Sequence, residues 1–350
     1  MMKHLSTGRG LTARFLALLT AALLLSGCGP TQVDLTGKTM GTYYAVKYVG
    51  VDGAPAPTVV QAEIDRRLER VNDQMSTYRP GSELSRFNQS RTVGVPFPVS
   101  ADTARVVKEA LRINKLTDGA LDVTVGPLVN LWGFGPEGRP DREPAAAQIA
   151  QRRAWVGIQH LSLQGNALVK DIPQLYVDLS AIAKGYGVDV VAEYLQSLHI
   201  ENYMVDIGGE VCTNGDNGEG VPWRIAIEKP STDAQQRVQT IIQPGRMAIA
   251  TSGDYRNYFE QDGQRFSHEI DPNTGRPVTH RLASITVLAP TCMTADGLST
   301  GLFVMGPDRA MALANQMNIP IYMIVKGEHG FEERASAAFD AYRAPSPSQP

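Results

Sequence analysis

The 350-residue chain predicts an α+β fold, a mainly antiparallel sheet with flanking helices. Two observations carry this expectation. Short segments of strand character outnumber those with helical periodicity. Many neighbouring strands are joined by links too short for the crossover that parallel strands need. About 320 residues beyond the N-terminal segment suffice to bury a large core, in one domain or two.

The elements follow in chain order. A strand is expected at 43–49, broken by the Pro/Gly-rich stretch 50–57. Thr58-x-x-Gln61 has the form of a capping box opening a helix. Its Val60, Ile64, Leu68, Val71 and Met75 recur at spacings of three and four, which gives one buried face. Ser100 caps a second helix carrying Val106, Val107, Ala110, Leu111 and Ile113, which stops at Thr117-Asp118-Gly119. Residues 121–125 read as a strand and 144–153 as a short helix opened by Pro144. Residues 160–170 read as a hairpin turning at Gly165-Asn166. A long helix from about 180 to 198 buries Ala183, Gly187, Val190, Val191, Tyr194 and Leu198. Strands are expected at 202–207, 223–228, 238–242, 247–250, 283–289 and 320–325. Helices around 294–305 and 308–317 lie between the last two.

The ends frame this domain. Residues 1–27 carry Lys3, Arg9 and Arg14, no acidic residue, and an apolar run from 15 to 25. That is the layout of a removable export signal, too short to span a ~30 Å hydrocarbon core. Leu25-Ser26-Gly27-Cys28 resembles a lipobox, which makes Cys28 the lipid-bearing first residue of an exported lipoprotein. Residues 28–36 then read as a lipidated tether, 37–343 as the working domain and 344–350 as a disordered tail. Without 1–27 the chain has 30 basic and 36 acidic residues, a net charge near −6. Nothing in this balance suggests nucleic acid, which calls for a basic stripe. Cys212 and Cys292 stand outside any CxxC or zinc-type spacing. An oxidising compartment permits their pairing, and two separate buried thiols fit the sequence equally well.

Five segments can carry chemistry. Gly133–Gly138 matches GxGxxG, but Pro136 within it and Pro140 after it exclude a dinucleotide fingerprint. No Walker A or HExxH sequence occurs. In Tyr176-Val-Asp178-Leu-Ser-Ala181-Ile-Ala-Lys184-Gly-Tyr-Gly187, a short strand is expected to run into a helix. The helix N-terminus suits an anion such as phosphate, and Lys184 lies one turn in. Gly185 and Gly187 weaken the helix by about 1 kcal/mol each, which implies a close neighbour. The alternative is Asp178 or Ser180 as a plain cap with Lys184 in solvent. In Thr294-Ala-Asp296-Gly-Leu-Ser299-Thr300, the oxygens of 296, 299 and 300 share one helix face and suit Mg²⁺. Thr294 as N-cap with Asp296 in the first turn is the plainer alternative. The Phe266–Pro277 segment places His268 before a rigid turn, where it can serve as a base or bind phosphate, a structural histidine being the plainer alternative. Thr251-Ser252-Gly253-Asp254-Tyr255 suits a substrate-lining loop after a strand. Leu116–Pro127 makes a turn between helix and strand. Together these point to a phosphorylated ligand with a divalent metal.

The same motifs resemble the ApbE family, the FAD:protein FMN transferases. The likeness comprises Gly37–Thr42, Ser76–Tyr78, Thr117–Pro127, Val129–Gly135, Asp178–Gly187, Val205–Gly209, Thr251–Gly253, Ser267–Pro277 and Thr294–Thr300. It implies that fold and a reaction in which a Thr or Ser hydroxyl attacks the flavin-side phosphorus of FAD. FMN stays on the target through a phosphoester and AMP leaves. It implies Mg²⁺ on Asp296, Thr300 and the Ala181 carbonyl, with Ser299 standing where many relatives carry a second Asp. It implies nucleotide contacts from Met40, Tyr78, Ala120, Leu121, Asp122, Asp178, Lys184 and Ile270. Lys184 replaces a Glu found in some relatives. His268 is the expected handler of the hydroxyl proton or the phosphate, beside Asp296 in the catalytic set. The implied partners are acceptor domains of membrane redox complexes, of the sodium-pumping quinone reductase or a related type. Gly29 is not the Asp that commonly retains lipoproteins at the inner membrane. The implied partners still favour that membrane, on its periplasmic side. An FAD pyrophosphatase and a lipid-anchored flavin-binding protein are the competing readings.

Overall fold

The computed structural model describes residues 31–138, 143–228, 238–254, 258–261 and 264–345. The signal segment, Cys28 and residues 346–350 of the expected tail lie outside them.

One eight-stranded sheet organises the chain. Its strands are β1 (Gln32–Thr39), β2 (Thr42–Val49), β3 (Tyr203–Ile207), β4 (Glu210–Asn214), β5 (Ala248–Gly253), β6 (Leu282–Ala289), β7 (Ile321–Gly327) and β8 (Gly330–Ala335). They lie side by side in chain order, and every neighbouring pair is antiparallel. The α+β expectation therefore holds.

The helices occupy two of the links. Between β2 and β3 come α1 (Pro57–Met75), α2 (Glu83–Gln89), α3 (Ala101–Leu116), α4 (Gly126–Leu131), α5 (Ala146–Arg153) and α6 (Ala183–Ser197). Between β6 and β7 come α7 (Cys292–Met305) and α8 (Pro307–Gln316). Val60, Ile64 and Leu68 of α1 and Val188, Val191 and Leu195 of α6 pack on Tyr44, Val46, Val205 and Ile207 of the sheet. Leu298 and Leu302 of α7 extend that layer over Ile285 and Val287. Val211, Ile249, Leu288 and Ile324 form a smaller core with Ile227, Ile242 and Phe339.

Several expected elements shift, each for a local reason. The tether expected over 28–36 is strand from Gln32 onward, so the domain starts before 37. Its polar residues suit an edge strand, which exposes one face and one row of backbone groups. Residues 121–125 are not a strand. Asp122 Oδ1 accepts from the Thr124 N–H at 2.8 Å and the Thr124 hydroxyl at 2.6 Å, and that Asx turn leads into α4 at Gly126-Pro127. No strand forms before α6. There the side-chain amide of Asn88 pairs with the Val177 N–H and carbonyl, both at 2.8 Å, in place of a neighbouring strand. Helix α6 begins at Ala183 rather than near 180, because Asp178 Oδ1 holds Ser180 in a turn. Thr58 and Gln61 form no capping box: the N-cap is Ala56, and Gln61 reaches the Thr36 carbonyl of β1 instead. Thr291, not Thr294, caps α7. Cys212 and Cys292 are free thiols, which removes the disulfide alternative.

Candidate active site

One end of the sheet carries the tight turns of β1–β2 and β3–β4. Met40 and Gly41 (φ 48° and 72°) make the first, and Gly208 and Gly209 (φ 66° and 103°) the second. Both turns need positive φ at two residues, which Met tolerates only where packing holds it. A cavity of about 1560 Å³ opens at this end, between the turns, the first turn of α6 and one face of α7.

The floor is made by the crossing of α6 over α7. A Cβ on Gly185 would sit 2.3 Å from the Cys292 carbonyl oxygen and 2.7 Å from Asp296 Cβ. Only glycine allows this approach, as its place in the helix implied. It lets the Gly185 N–H donate to Asp296 Oδ2 at 2.8 Å. Asp189, one turn further along α6, accepts the N–H groups of Cys292 and Met293 at 2.7 and 2.9 Å. Four N–H groups at a helix start lack intrahelical partners, and this carboxylate satisfies two of them. Gly187 is equally tight, since a Cβ there would lie 2.8 Å from Met40 Cε.

Asp296 is 4% exposed. Burial pushes its carboxyl up, against the pull of Lys184 and the Gly185 N–H. Thr300 lies one turn on, and both line the cavity with Ala181. Ser299 departs from the expected metal set. Its hydroxyl donates back to the Asp296 carbonyl at 2.9 Å and meets Ser252 Oγ at 2.8 Å, and the residue is not among those lining the cavity. A helical Ser can always bond the preceding turn, and here that bond takes its hydrogen.

Met40, Tyr78, Ala120, Leu121, Asp122, Asp178, Lys184, His268 and Ile270 all line the same cavity. Tyr78 is 62% exposed at the rim, its hydroxyl donating to the Phe134 carbonyl at 3.0 Å. Asp122 is held by its own turn, and burial raises its carboxyl against the Thr124 hydrogen bonds. His268 Nε2 is 3.5 Å from Glu269 Oε1. Thr251, Ser252 and Gly253 belong to β5 itself rather than to a loop after it.

Two acidic groups of this site were not anticipated from sequence. Glu210, 3% exposed at the start of β4, pairs with Lys184 Nζ at 2.6 Å, while its buried Oε2 has no hydrogen-bond partner among the described residues. Burial drives Glu210 up, opposed by Lys184. For Lys184 burial opposes the charge, but Glu210 and Asp296 outweigh it and keep the ammonium protonated. Glu269 is buried beside His268, and burial raises its carboxyl. Glu210 directly follows the Val205–Gly209 motif, and only the fold brings it to Lys184. The site thus holds buried carboxylates, a buried ammonium from Lys184 and a row of hydroxyls round a space of dinucleotide size. The arrangement suits a polyanion whose charge is shared between a cation and fixed donors.

The ApbE family model matches residues 40–323. The FAD:protein FMN transferase of Vibrio cholerae is 63% identical over 330 residues, covering 94% of this chain and 98% of that protein. That of Escherichia coli K12 is 44% identical over 340 residues, covering 93% and 96%. The solved structure of the flavin transferase ApbE from Vibrio cholerae is 62% identical and superposes with a TM-score of 0.84, over 89% of this chain and 99% of that one. The apo form of the Pseudomonas stutzeri flavinyl transferase ApbE is 41% identical, with a TM-score of 0.83 over 90% and 98%. The chain belongs to the ApbE family.

Proposed function

We propose that this chain transfers FMN from FAD to a Thr or Ser hydroxyl of an acceptor protein, with Mg²⁺ on the diphosphate and AMP as the second product. Flavin transfer follows from the family and from the names of relatives that match along nearly the whole chain. The observation that carries the finer reading is Asp296, a buried carboxylate fixed by the Gly185 N–H with the Thr300 hydroxyl one turn away.

The donors fit the metal. Asp296, Thr300 and the Ala181 carbonyl offer only oxygen, as a hard cation requires, and Mg²⁺ commonly completes its shell with substrate phosphate and water. Bound there, Mg²⁺ would neutralise diphosphate charge and ease attack at phosphorus. The remaining work belongs to side chains. Lys184, kept charged by Glu210, would balance a further phosphate oxygen. Met40, Tyr78, Ala120, Leu121, Asp122, Asp178 and Ile270 would hold the two ends of FAD. His268 would take the hydroxyl proton as the new O–P bond forms and the P–O–P bond breaks, and would return it to AMP. Phosphoryl-type transfer is mainly positioning and charge neutralisation, which this floor supplies.

Location is part of the proposal. The signal layout and Cys28 support a lipid-anchored protein on the periplasmic side of the inner membrane. There a short tether raises the effective concentration of acceptor domains of membrane redox complexes. The sodium-pumping quinone reductase type is the acceptor this reading favours.

The test is to incubate the chain with FAD, Mg²⁺ and such an acceptor domain, and to weigh the acceptor. A gain equal to one phosphoester-linked FMN is expected. Free FMN with unmodified acceptor would indicate a pyrophosphatase, and intact FAD a binding protein.

A further inference from the structure

Strand β5 runs past the end of β4. Its ladder with β4 is two residues long, Ala248 opposite Cys212 and Ile249 opposite Val211. Its ladder with β6 continues to Gly253 opposite Ser284. The β3–β4 turn does not fill the difference, because the Gly209 N–H donates to Asp206 Oδ1 at 2.9 Å instead of to β5.

The ladder fixes which backbone groups face the gap. The Asp254 N–H donates to the carbonyl of Ala283, the residue directly across, at 3.2 Å. In an antiparallel pair bonded and non-bonded positions alternate. Residues 248, 250 and 252 therefore direct their backbone groups to β6, and 249, 251 and 253 direct theirs away. The Thr251 and Thr286 hydroxyls meet at 2.8 Å, as opposed side chains of a non-bonded pair do. Ile249 meets Val211 on the far side. Thr251 and Gly253 have no backbone partner there among the described residues, and both are half-buried in the cavity wall.

We propose that this open edge docks the flavin acceptor: an extended acceptor segment adds as a short strand beside Thr251–Gly253, with its target Ser or Thr opposite Ser252. The proposal rests on the transferase reading above. Ser252 Oγ lies 2.8 Å from Ser299 Oγ and 3.3 Å from Thr300 Oγ1, so its side chain projects towards α7. A residue opposite Ser252 in a non-bonded pair projects to the same face with its Cα about 4.5 Å away. Its hydroxyl would therefore arrive beside Thr300, with Asp296 one turn back, where the O–P bond must form. Edge addition supplies affinity through main-chain hydrogen bonds and leaves selection to alternate side chains.

Residue-resolved amide exchange on the full chain in mild detergent tests this. The probe is the flavin-acceptor domain of a sodium-pumping quinone reductase with its target Thr replaced by Val, added after FAD and Mg²⁺. The Thr251 and Gly253 amides should exchange freely without acceptor and slow at least tenfold with it. The Ser252 amide, bonded to β6, should be slow throughout. Protection by FAD and Mg²⁺ alone would give the edge to the nucleotide and overturn the proposal. So would unchanged exchange while the unmutated domain still gains FMN, since docking would then lie elsewhere. If the unmutated domain gains no FMN at all, the transferase reading fails first and removes the occupant with it.

Discussion

The floor and the open edge of the cavity are built on opposite principles. At the floor two helices touch through backbone, every donor named there is paired, and Asp296 is fixed by an amide from a different helix. At the edge β5 outruns its neighbour and leaves backbone groups of Thr251 and Gly253 without partners among the described residues. The difference separates two tasks. Charge neutralisation at phosphorus needs donors that do not move during reaction. Capture of a protein segment needs unsatisfied groups that a partner can complete.

Breaking the floor should have the largest effect. Gly185→Ala gains about 1 kcal/mol of helix propensity, but its Cβ meets backbone at 2.3 Å. Overpacking costs typically 1–3 kcal/mol and more where backbone must part. We expect a net loss of about 2 kcal/mol or more in urea unfolding, together with loss of transfer. Asp189→Ala should cost about 2 kcal/mol, because two α7 N–H groups lose their acceptor inside the protein.

Asp189 also carries a pH signature. Burial raises its carboxyl from 3.8 to about 6, against the two amide bonds. The native state therefore holds a proton that the unfolded state has released between about pH 4 and 6. This contribution is fully present below pH 4 and is lost as pH rises through 6. Asp189→Asn should flatten that part of the stability profile, measured by urea midpoints from pH 4 to 7.

Intermediate effects are expected at the Lys184–Glu210 pair. Removing one member of a buried ion pair costs more than removing both. Glu210→Gln and Lys184→Met should each weaken transfer about tenfold and lower stability. The double variant should recover stability but not transfer, which separates a packing role from a role towards FAD. The smallest effect belongs to the rim. Tyr78→Ala should raise the KM for FAD severalfold through lost aromatic contact while leaving the urea midpoint almost unchanged, because the side chain is exposed.

What was legible in sequence follows the range of the interactions involved. The buried face of α1, Val60 to Met75, appears as its spacing implies, because amphipathic periodicity is local. The hairpin at Gly165-Asn166 forms as read, between Leu161–Gln164 and Ala167–Lys170. Alternating Leu121, Val123 and Val125 mimicked a strand until Asp122 turned the chain. Strands β1, β4 and β8 carry weak sequence signals, because β1 and β8 are edge strands and Glu210, Thr213 and Asn214 interrupt the apolar alternation of β4. The motif segments converge on one cavity, so their residue types were informative. The Asp189 cap on α7 and the Glu210 partner of Lys184 were not legible, since each joins parts of the chain far apart in sequence.

The role proposed for the floor round Asp296 is tested most directly by following AMP release and acceptor mass together for the wild-type chain and Asp296→Ala, with Mg²⁺ and with a chelator. AMP and FMN-modified acceptor are expected in equal amounts from the wild type with Mg²⁺, with a fall of about a thousandfold in both when either the carboxylate or the ion is removed. Full AMP release and acceptor modification by Asp296→Ala, or by the wild type in chelator, would contradict it.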